Sequence, residues 1–404
     1  LGAMTANVKR TAKGMARARW LAVVAATGAL ASVGVAACGS SDDSGVTGAN
    51  GGSDGGLGPD GTATLQDGAL VDGAVGVSCS SCPTGYSCKT FAGKSVCASA
   101  AGIPLFDHVF LVLMENISTK TLTAAVDSDA DESAYFKTLA STYATGADYH
   151  GAHSGGKAVH PSLPNYIALT SGDSQGIGCD CKPLPEAGTC NGATCNIVAS
   201  SCGCNQSAPN IADQLETATK TWKAYGEGMG APCNVKDDSV TGYAARHVPF
   251  LYYDAIRENA ARCTSHIVDF TNLAADLSGA TPAFVYIAPN LTHDGHDPVS
   301  ITSHDANIQN AAAFLSTMVP TITASDAYKN GGLLVVVWDE DDSSGVFSND
   351  DPIPIYVASP YAKAGFVSHV TADHASLLAT IEDGLGLPRL GQAGAAKPLV
   401  DYFQ

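Results

Sequence analysis

The chain has 404 residues, of which 45% are hydrophobic and 15% charged, so it can bury a sizeable core. Its formal net charge of −18 at pH 7 argues against a nucleic-acid-binding protein, because such proteins need a basic face that displaces counterions. The same charge argues against attraction to an anionic membrane surface, and it means that a site for an anionic substrate needs a cation close by.

Residues 1–37 have the pattern of a bacterial lipoprotein signal peptide. Several lysines and arginines are followed by an apolar run from Trp20 to Ala37, and Cys38 stands directly after small residues. Cleavage there would make Cys38 the lipidated N-terminus, so we expect an exported protein, lipid-anchored at the periplasmic or cell-surface face of the bacterial cell envelope. The alternative is a transmembrane anchor of about the minimum length, which the alanines and glycines of the run make weakly hydrophobic.

Residues 38–77 consist mainly of Gly, Ser, Asp and Thr, and they cannot bury enough apolar surface to offset the cost of ordering. We therefore predict a flexible tether to the membrane. Residues 78–100 form a small Cys-rich module whose four cysteines are Cys79, Cys82, Cys88 and Cys97. In an exported protein this spacing favours two disulfides, and the alternative is a zinc site.

The cysteine count supports export. Thirteen cysteines less Cys38 leave twelve, an even number suited to an oxidising compartment. Six of them lie in a Gly-, Pro- and Asn-containing insert at residues 179–204, which we interpret as a disulfide-stapled excursion. It is either a rim of the functional site or only a surface staple. Cys233 and Cys263 remain and can pair with each other.

Residues 101–404 alternate short apolar runs with segments of helical spacing, which predicts an α/β domain with a largely parallel or mixed sheet. The predicted strands are Asp107–Met114, Ala283–Ala288, Leu333–Trp338 and Ile353–Ala358, and the predicted helices are Glu132–Thr145, Ser303–Thr323 and Asp373–Leu385. In such sheets, ligands collect at the carboxyl ends of the strands.

Two polar motifs fall at such positions in the first half of this domain. Glu115 and Asn116 follow a buried strand and offer oxygen ligands to a divalent cation, although a strand that ends in this way is often only a turn. Ser162, within the run from His160 to Tyr166, precedes a helical segment. A serine there either caps the helix or acts as a nucleophile where free N–H groups hold a phosphate.

Three further motifs lie in the second half. The run from Pro289 to Asp297 holds two histidines and two aspartates in five residues, a pattern that favours metal or phosphate contact over a solvated loop. Asp339 and Glu340 emerge from the most hydrophobic strand and are candidate metal ligands. His374 opens the last long helix, where it either faces a site or belongs to a cap.

Together, Met114-Glu115-Asn116, the His160–Tyr166 run, Pro289-Asn290 with Asp294 and His296, Trp338-Asp339-Glu340 and Asp373-His374 resemble the bacterial phosphoesterase family. That family includes acid phosphatases, among them phosphatidylinositol phosphatases, and phospholipases C. It is a branch of the alkaline-phosphatase-like superfamily. The resemblance covers about Phe106 to Phe403 and implies an α/β/α sandwich with a central, mostly parallel sheet, to which the disulfide-rich insertions are added.

The resemblance also implies residue roles. The metal ligands would be Glu115, Asn116, Ser162, Asp339 and Glu340. The catalytic residues would be the nucleophile Ser162 together with His296 and His374. The residues that contact the substrate would be His160, Asn165, His247, Asn290, His293 and Asp294. The family usually places Asn after the histidine that matches His247, whereas this chain has Val248. One divalent cation is expected, with Ca²⁺, Mg²⁺, Mn²⁺ and Zn²⁺ all left open, as is a second metal.

The predicted activity is metal-dependent hydrolysis of phosphate monoesters through a phosphoserine intermediate. The expected partners are a phosphate ester, with a phospholipid and a phosphoinositide as candidates, and the membrane through the N-terminal lipid; no nucleic acid is expected. A phospholipase C-type phosphodiesterase is the first alternative. An alternative of another class is a non-catalytic surface-binding lipoprotein that uses its Cys-rich segments to hold glycans or proteins.

Overall fold

The computed structural model describes Cys79 and residues 81–128, 133–183, 204–296, 304–342 and 350–403. The predicted signal peptide, Cys38 and the predicted tether lie outside the described residues, and they stay predictions. Within the described part of the chain, the search for a helix with the length and apolar character of a membrane span finds none.

Among the described residues, one sheet of eight strands forms the centre of the molecule, in the order β12-β4-β11-β10-β3-β9-β7-β8. These strands are β3 (Val109–Met114), β4 (Ala144–Gly146), β7 (Trp222–Gly226), β8 (Ile267–Asp269), β9 (Phe284–Ala288), β10 (Leu333–Trp338), β11 (Ile355–Ala358) and β12 (Val367–Ser368). Strand β11 is antiparallel to both of its neighbours, and all other neighbouring pairs are parallel. The prediction of a mostly parallel sheet is confirmed.

The central strands β3, β9 and β10 are buried at every residue, because helices cover both faces of a parallel sheet and the strand sequences are continuously apolar. The helices are α1 (Thr119–Ser128), α2 (Ala134–Thr142), α3 (Ser162–Ser171), α4 (Ile211–Thr217), α5 (Asp254–Arg257), α6 (Ala260–His266), α7 (Leu273–Ser278), α8 (His304–Thr323), α9 (Asp326–Lys329) and α10 (His374–Leu385). Helices α1 and α2 pack with α8, whereas α3 packs with α10. The predicted α/β/α sandwich is confirmed.

One predicted boundary is wrong. The predicted helix Glu132–Thr145 ends earlier, at Thr142, and Ala144–Gly146 form β4 instead. This short strand pairs with β11 on one side and β12 on the other, so distant partners override the local helical spacing. The helix expected after Ser162 is α3, and its C-terminus is closed by Gly172 in the left-handed conformation.

The cysteines in the described part of the chain are disulfide-bonded, as predicted. Cys79–Cys88 and Cys82–Cys97 staple the antiparallel hairpin of β1 (Tyr86–Phe91) and β2 (Lys94–Ser99), so the alternative zinc site there is wrong. The hairpin is anchored on α10, because Ser99 Oγ donates to Asp383 Oδ2 at 3.0 Å. A further two-stranded ribbon, β5 (His153–Ser154) with β6 (Lys157–Ala158), precedes α3.

Two further disulfides are Cys181–Cys204 and Cys233–Cys263. The first joins the two ends of the predicted insert, whose residues 184–203 lie outside the described part of the chain. The sulfur atoms of Cys179, Cys181 and Cys204 lie within 4.8 Å of one another, but all three cysteines are disulfide-bonded and therefore offer no thiolate to a metal.

The carboxyl ends of β3, β9 and β10 meet at one edge of the sheet. Met114 and Trp338 stand opposite each other in the parallel pair, so Glu115 and Asp339 leave the sheet at the same level. The backbone N–H of Asp339 donates to Met114 O at 3.0 Å, and that of Glu115 donates to Asp294 O, also at 3.0 Å. These hydrogen bonds hold the loops after the three strands together.

Candidate active site

Ser162 lies at the start of α3 and faces the carboxyl edge of the sheet. Its hydroxyl Oγ lies 2.9 Å from Glu115 Oε2 and 3.0 Å from the side-chain amide of Asn116. The N-cap position belongs to Pro161, and no side chain caps the helix there. The hydroxyl of Ser162 is therefore directed at the polar cluster, and the helix-cap interpretation is wrong.

Asn116 joins the other members of this cluster. Its backbone N–H donates to Asp339 Oδ1 at 2.8 Å, and its φ of 29° is unusual for a residue with a side chain. When the amide nitrogen faces the cluster, it donates to Glu115 Oε2 and Asp339 Oδ1, each at 2.9 Å, and to Ser162 Oγ at 3.0 Å. When the amide oxygen faces the cluster, it accepts from Ser162 Oγ and lies near the oxygens of Glu115 and Asp339, an arrangement that a bound cation would stabilise.

The donor set fits a divalent cation. Glu115 and Asp339 are 1% and 0% exposed, so their charges are removed from water. Burial, together with the charges of Glu115 and Glu340, raises the pKa of Asp339 well above its usual value. Neighbouring buried carboxylates are costly unless a positive charge compensates them, and oxygen ligands from Glu115, Asn116, Ser162 and Asp339 are of the type that Mg²⁺, Mn²⁺ and Ca²⁺ bind.

The carboxylate of Glu115 is held from its other side. Tyr166 donates its hydroxyl to Glu115 Oε1 at 2.7 Å, and His247 Nε2 lies 2.9 Å from the same oxygen, at ion-pair distance but outside hydrogen-bond geometry. The rings of Tyr166 and His247 stack with 5.4 Å between centroids. Burial is the largest single influence and would raise the pKa of Glu115, but His247, the charge of Arg246 and the Tyr166 hydrogen bond together outweigh burial and lower that pKa to about 2.

Glu340 faces a different set of partners. Its Oε2 lies 3.0 Å from His160 Nδ1 and accepts from Asn165 Nδ2 at 2.8 Å. Asn165 is fully engaged within the protein, because its Nδ2 also donates to Val159 O and its Oδ1 accepts from Ala152 N. Asn165 therefore positions Glu340 through these contacts. The predicted contact between Asn165 and the substrate is a different role.

His374 has both ring nitrogens engaged inside the protein. Nε2 lies 2.7 Å from the backbone oxygen of Asp339, and Nδ1 lies 3.0 Å from the hydroxyl of Tyr149. Because a carbonyl only accepts, Nε2 carries the proton and Nδ1 accepts from Tyr149. Burial lowers the pKa of His374 to about 4, so the ring is neutral. As placed, His374 supports the backbone of Asp339, and its catalytic role stays a prediction.

The loop after β9 divides into two parts. The side chain of Asn290 donates to Thr241 O and accepts from the backbone N–H of His293, and His293 Nδ1 contacts Glu227 Oε1 at 2.8 Å. The structure therefore does not bring Asn290 and His293 into the cluster around Ser162. The backbone carbonyl oxygen of Asp294 accepts from Glu115 N. Asp294 Oδ1 accepts from the backbone N–H of His296 at 2.9 Å. Asp294 therefore adjoins the cluster through its backbone, and His296 is joined to Asp294 through its own backbone N–H.

Three residues that contact the site were not assigned a role from the sequence. Tyr166 stands within the serine motif, and its place one helical turn after Ser162 was an available signal, because residues i and i+4 share a helix face. Tyr149 lies outside every motif. Asp180, in the Cys-rich insert, accepts from Leu163 N at 2.9 Å and thereby occupies a free amide at the start of α3; no spacing in the sequence indicated either contact.

The fold and the cluster at the strand ends are those of a hydrolytic α/β enzyme, and the comparisons with known proteins identify its family. The Phosphoesterase family matches residues 116–388, and the chain belongs to that family. It is 28% identical over 306 residues to the phosphatidylinositol-3-phosphatase of Mycobacterium tuberculosis, covering 76% of this chain and 85% of that protein. The chain is a phosphoric ester hydrolase.

A fungal relative is similar over part of its length. The acid phosphatase of Aspergillus fumigatus is 26% identical over 297 residues, which cover 71% of this chain and 56% of that protein, so the chain spans about half the length of this relative. Among solved structures, murine ectonucleotide pyrophosphatase/phosphodiesterase 5 has a TM-score of 0.47 at 10% identity, covering 74% of this chain and 100% of that one. A protein in the alkaline phosphatase superfamily from Vibrio parahaemolyticus has a TM-score of 0.47 at 11% identity, covering 80% and 74%.

Proposed function

We propose that the protein hydrolyses phosphate monoesters with Ser162 as the nucleophile and one divalent cation held by Glu115, Asn116 and Asp339. The observation that carries the proposal is the position of Ser162 Oγ, 2.9 Å from Glu115 Oε2 and 3.0 Å from the Asn116 amide. A hydroxyl directed into a cluster of buried carboxylates has no structural purpose as a helix cap, because Pro161 takes the cap position.

The reaction has two steps. Ser162 Oγ releases its proton to solvent as it forms a bond to phosphorus, while the bond from phosphorus to the leaving-group oxygen breaks and that oxygen takes up a proton. Water then attacks the phosphoserine, which releases phosphate and returns a proton to Ser162. A bound divalent cation supplies Lewis-acid stabilisation of the negative charge on the serine and phosphate oxygens. His296, beside Asp294 at the edge of the cluster, is the proposed proton donor to the leaving group.

The surrounding residues hold this arrangement in place. Tyr166 and His247 fix the orientation of the Glu115 carboxylate, and His374 fixes the backbone at Asp339. His160 and Asn165 hold Glu340, which we place beside the site as a further carboxylate that neutralises or orients its contents. Preorganised groups of this kind contribute to rate because they need no rearrangement when charge develops.

Phosphate monoesters are the substrate class that we propose. The relatives named above are a phosphatidylinositol-3-phosphatase and an acid phosphatase, and both names denote removal of a terminal phosphate. A phosphoinositide is therefore one candidate substrate. In the alternative, a phospholipase C-type enzyme, the same site would hydrolyse a phosphate diester. Because the chain belongs to an enzyme family, the non-catalytic alternative loses its support.

The proposal is tested with p-nitrophenyl phosphate and p-nitrophenyl phosphocholine, assayed after EDTA treatment and after addition of single divalent ions. We expect hydrolysis of the monoester, loss of activity on chelation and recovery with one of Mg²⁺, Mn²⁺, Ca²⁺ or Zn²⁺. A higher kcat/KM for the diester would favour the phosphodiesterase, and activity indifferent to chelators would remove the metal from the proposal.

Export as a lipoprotein is a second proposal and rests on residues 1–38 alone. It accounts for the disulfides, which form in oxidising compartments, and it would bring the enzyme to lipid substrates. Expression of the full chain in a bacterium with labelled palmitate should label the wild-type protein and leave Cys38→Ala unlabelled. Equal labelling of the two proteins, or none in either, contradicts the proposal.

A further inference from the structure

A small cavity lies beside the start of α3, outside the cluster around Ser162. It has a volume of 130 Å³ and is lined by both acidic and basic side chains, including Asp180, Lys182, Asp237 and Arg246. A water molecule occupies about 30 Å³ of liquid, so a phosphate or carboxylate group fits in this space. None of the roles assigned above uses Lys182 or Arg246.

Two chains of contacts connect this cavity with the reacting groups. Asp180 lines it and accepts from the backbone N–H of Leu163, the residue that follows the nucleophile Ser162. Arg246 lines it and directly precedes His247, whose Nε2 lies 2.9 Å from Glu115 Oε1. The cavity is therefore linked, through these contacts, to the residue that follows Ser162 and to the neighbour of Glu115.

The wall of the cavity is fixed before a ligand arrives. The buried hydroxyl of Tyr252 donates to Cys181 O at 2.6 Å, and the disulfide Cys181–Cys204 holds the same segment. This segment carries Asp180 and Lys182. A rigid wall reduces the entropic cost of binding a ligand group, because fewer side chains and loops have to be ordered.

Two carboxylates and two cations line the cavity, and each carboxylate already accepts a hydrogen bond from a backbone N–H. Asp180 is already neutralised in part by the amide at the start of α3, and Asp237 Oδ1 accepts from Ala245 N at 2.9 Å. Lys182 Nζ lies 3.6 Å from Asp237 Oδ2, and the two side chains are 48% and 42% exposed, so this pair is weak and the ammonium is available to a ligand. The chain as a whole has a net charge of −18, so the presence of both Lys182 and Arg246 at one cavity is unusual for this protein.

We propose that this cavity is a subsite for a second anionic group, a phosphate or a carboxylate, carried by the leaving group of the substrate. Lys182 and Arg246 bind that group while the phosphoryl group to be transferred lies at Ser162. The enzyme then prefers monoesters whose alcohol carries a further negative charge over neutral alcohols of the same shape. This inference rests on the proposed phosphatase function, and it adds a determinant of specificity to it.

The test compares two matched pairs of substrates: phenyl phosphate with carboxyphenyl phosphate, and an inositol monophosphate with the bisphosphate that carries one further phosphate. We expect the more anionic member of at least one pair to have a kcat/KM higher by about tenfold, the size of a charge-assisted hydrogen bond. The pair that shows the preference identifies the anion as carboxylate or phosphate. Added salt should reduce the preference.

Lys182→Gln and Arg246→Gln should each lower this ratio of kcat/KM values by about fivefold or more, through KM of the more anionic substrate. Lys182 is half exposed, so its variant keeps the test valid if Arg246→Gln does not fold. Lys94→Gln, an exposed lysine on the hairpin, makes the same change of net charge elsewhere and should leave the ratio unaltered. Hydrolysis of phenyl phosphate without any preference in either pair, or a ratio that both variants leave unchanged, overturns the subsite alone. A protein that hydrolyses none of the four substrates with any divalent ion overturns the proposed function and the subsite together.

Discussion

Tyr166 and Glu115 are joined by a 2.7 Å hydrogen bond between the tyrosine hydroxyl and Oε1, while Oε2 of the same carboxylate accepts from Ser162 at 2.9 Å. Tyr166 stands four residues after Ser162 on α3, so both side chains lie on the same face of this helix. One helix face therefore supplies the proposed nucleophile and the group that orients a carboxylate beside it.

Tyr166→Phe should lower kcat by about tenfold with a smaller change in KM, because a hydrogen bond to a charged group is worth about 1.5–3 kcal/mol. The matched control is Tyr225→Phe. Tyr225 is a buried tyrosine on strand β7, and its hydroxyl donates to Asp276 Oδ2 at 2.6 Å. Steady-state kinetics with p-nitrophenyl phosphate should show full kcat for the control. Equal effects of the two changes would show that Tyr166 contributes only to stability.

His374→Gln should retain most of kcat, whereas His374→Ala should lose about a hundredfold. The reason is that His374 donates from Nε2 to the backbone oxygen of Asp339, and the amide of glutamine can also donate there, while alanine leaves a buried carbonyl unsatisfied. The measurement is kcat against pH for both variants. A general acid would not be replaced by glutamine, so comparable losses in both variants would return His374 to a catalytic role.

Asp339→Asn should raise the Tm of the protein in EDTA and reduce the gain in Tm on adding a divalent ion. Asp339 is fully buried, and burial with the nearby Glu115 disfavours its charge unless a cation is bound. The amide still accepts from Asn116 N, so the local backbone is retained. Differential scanning calorimetry with and without Mn²⁺ measures both effects. A metal-induced gain in Tm as large as that of wild type would remove Asp339 from the ligand set.

Glu382→Gln should change how stability depends on pH. Burial raises the pKa of Glu382 to about 8, so the folded chain keeps a proton that the unfolded chain releases above about 4.5. Its stabilising contribution is present below pH 4.5 and is lost as the pH rises towards 8. Among the described residues, Glu382 Oε2 is one of the buried side-chain atoms without a hydrogen-bond partner.

The free energy of unfolding, measured in urea between pH 5 and 8, should therefore fall less steeply for Glu382→Gln than for wild type. The exposed Glu258→Gln is the control and should follow the wild-type curve. Parallel curves for wild type and Glu382→Gln would contradict a protonated Glu382 in the folded state.

The central strands and the polar residues that end them were predictable, because continuous apolar runs fix β3, β9 and β10 and the chain must turn where Glu115 and Asp339 follow. The spacing of the four cysteines in the first module predicted two disulfides, but it did not predict which cysteines pair. Strand β4 was not predictable from its three residues, since its pairing partners β11 and β12 lie far along the chain. The support of His374 by Tyr149 joins residues 225 positions apart, and no local pattern indicates such a contact.

The most direct test of the account is to trap the covalent intermediate on Ser162. Wild-type enzyme and Ser162→Ala are mixed with a labelled phosphate monoester in the presence of the activating ion, quenched in acid, digested and analysed by mass spectrometry. For the wild-type enzyme, we predict a phosphoryl group on Ser162, in the peptide that contains Leu163 and Asn165. Ser162→Ala should show neither label nor activity. Turnover by Ser162→Ala at the wild-type rate, or a phosphoryl group on another residue, would contradict it.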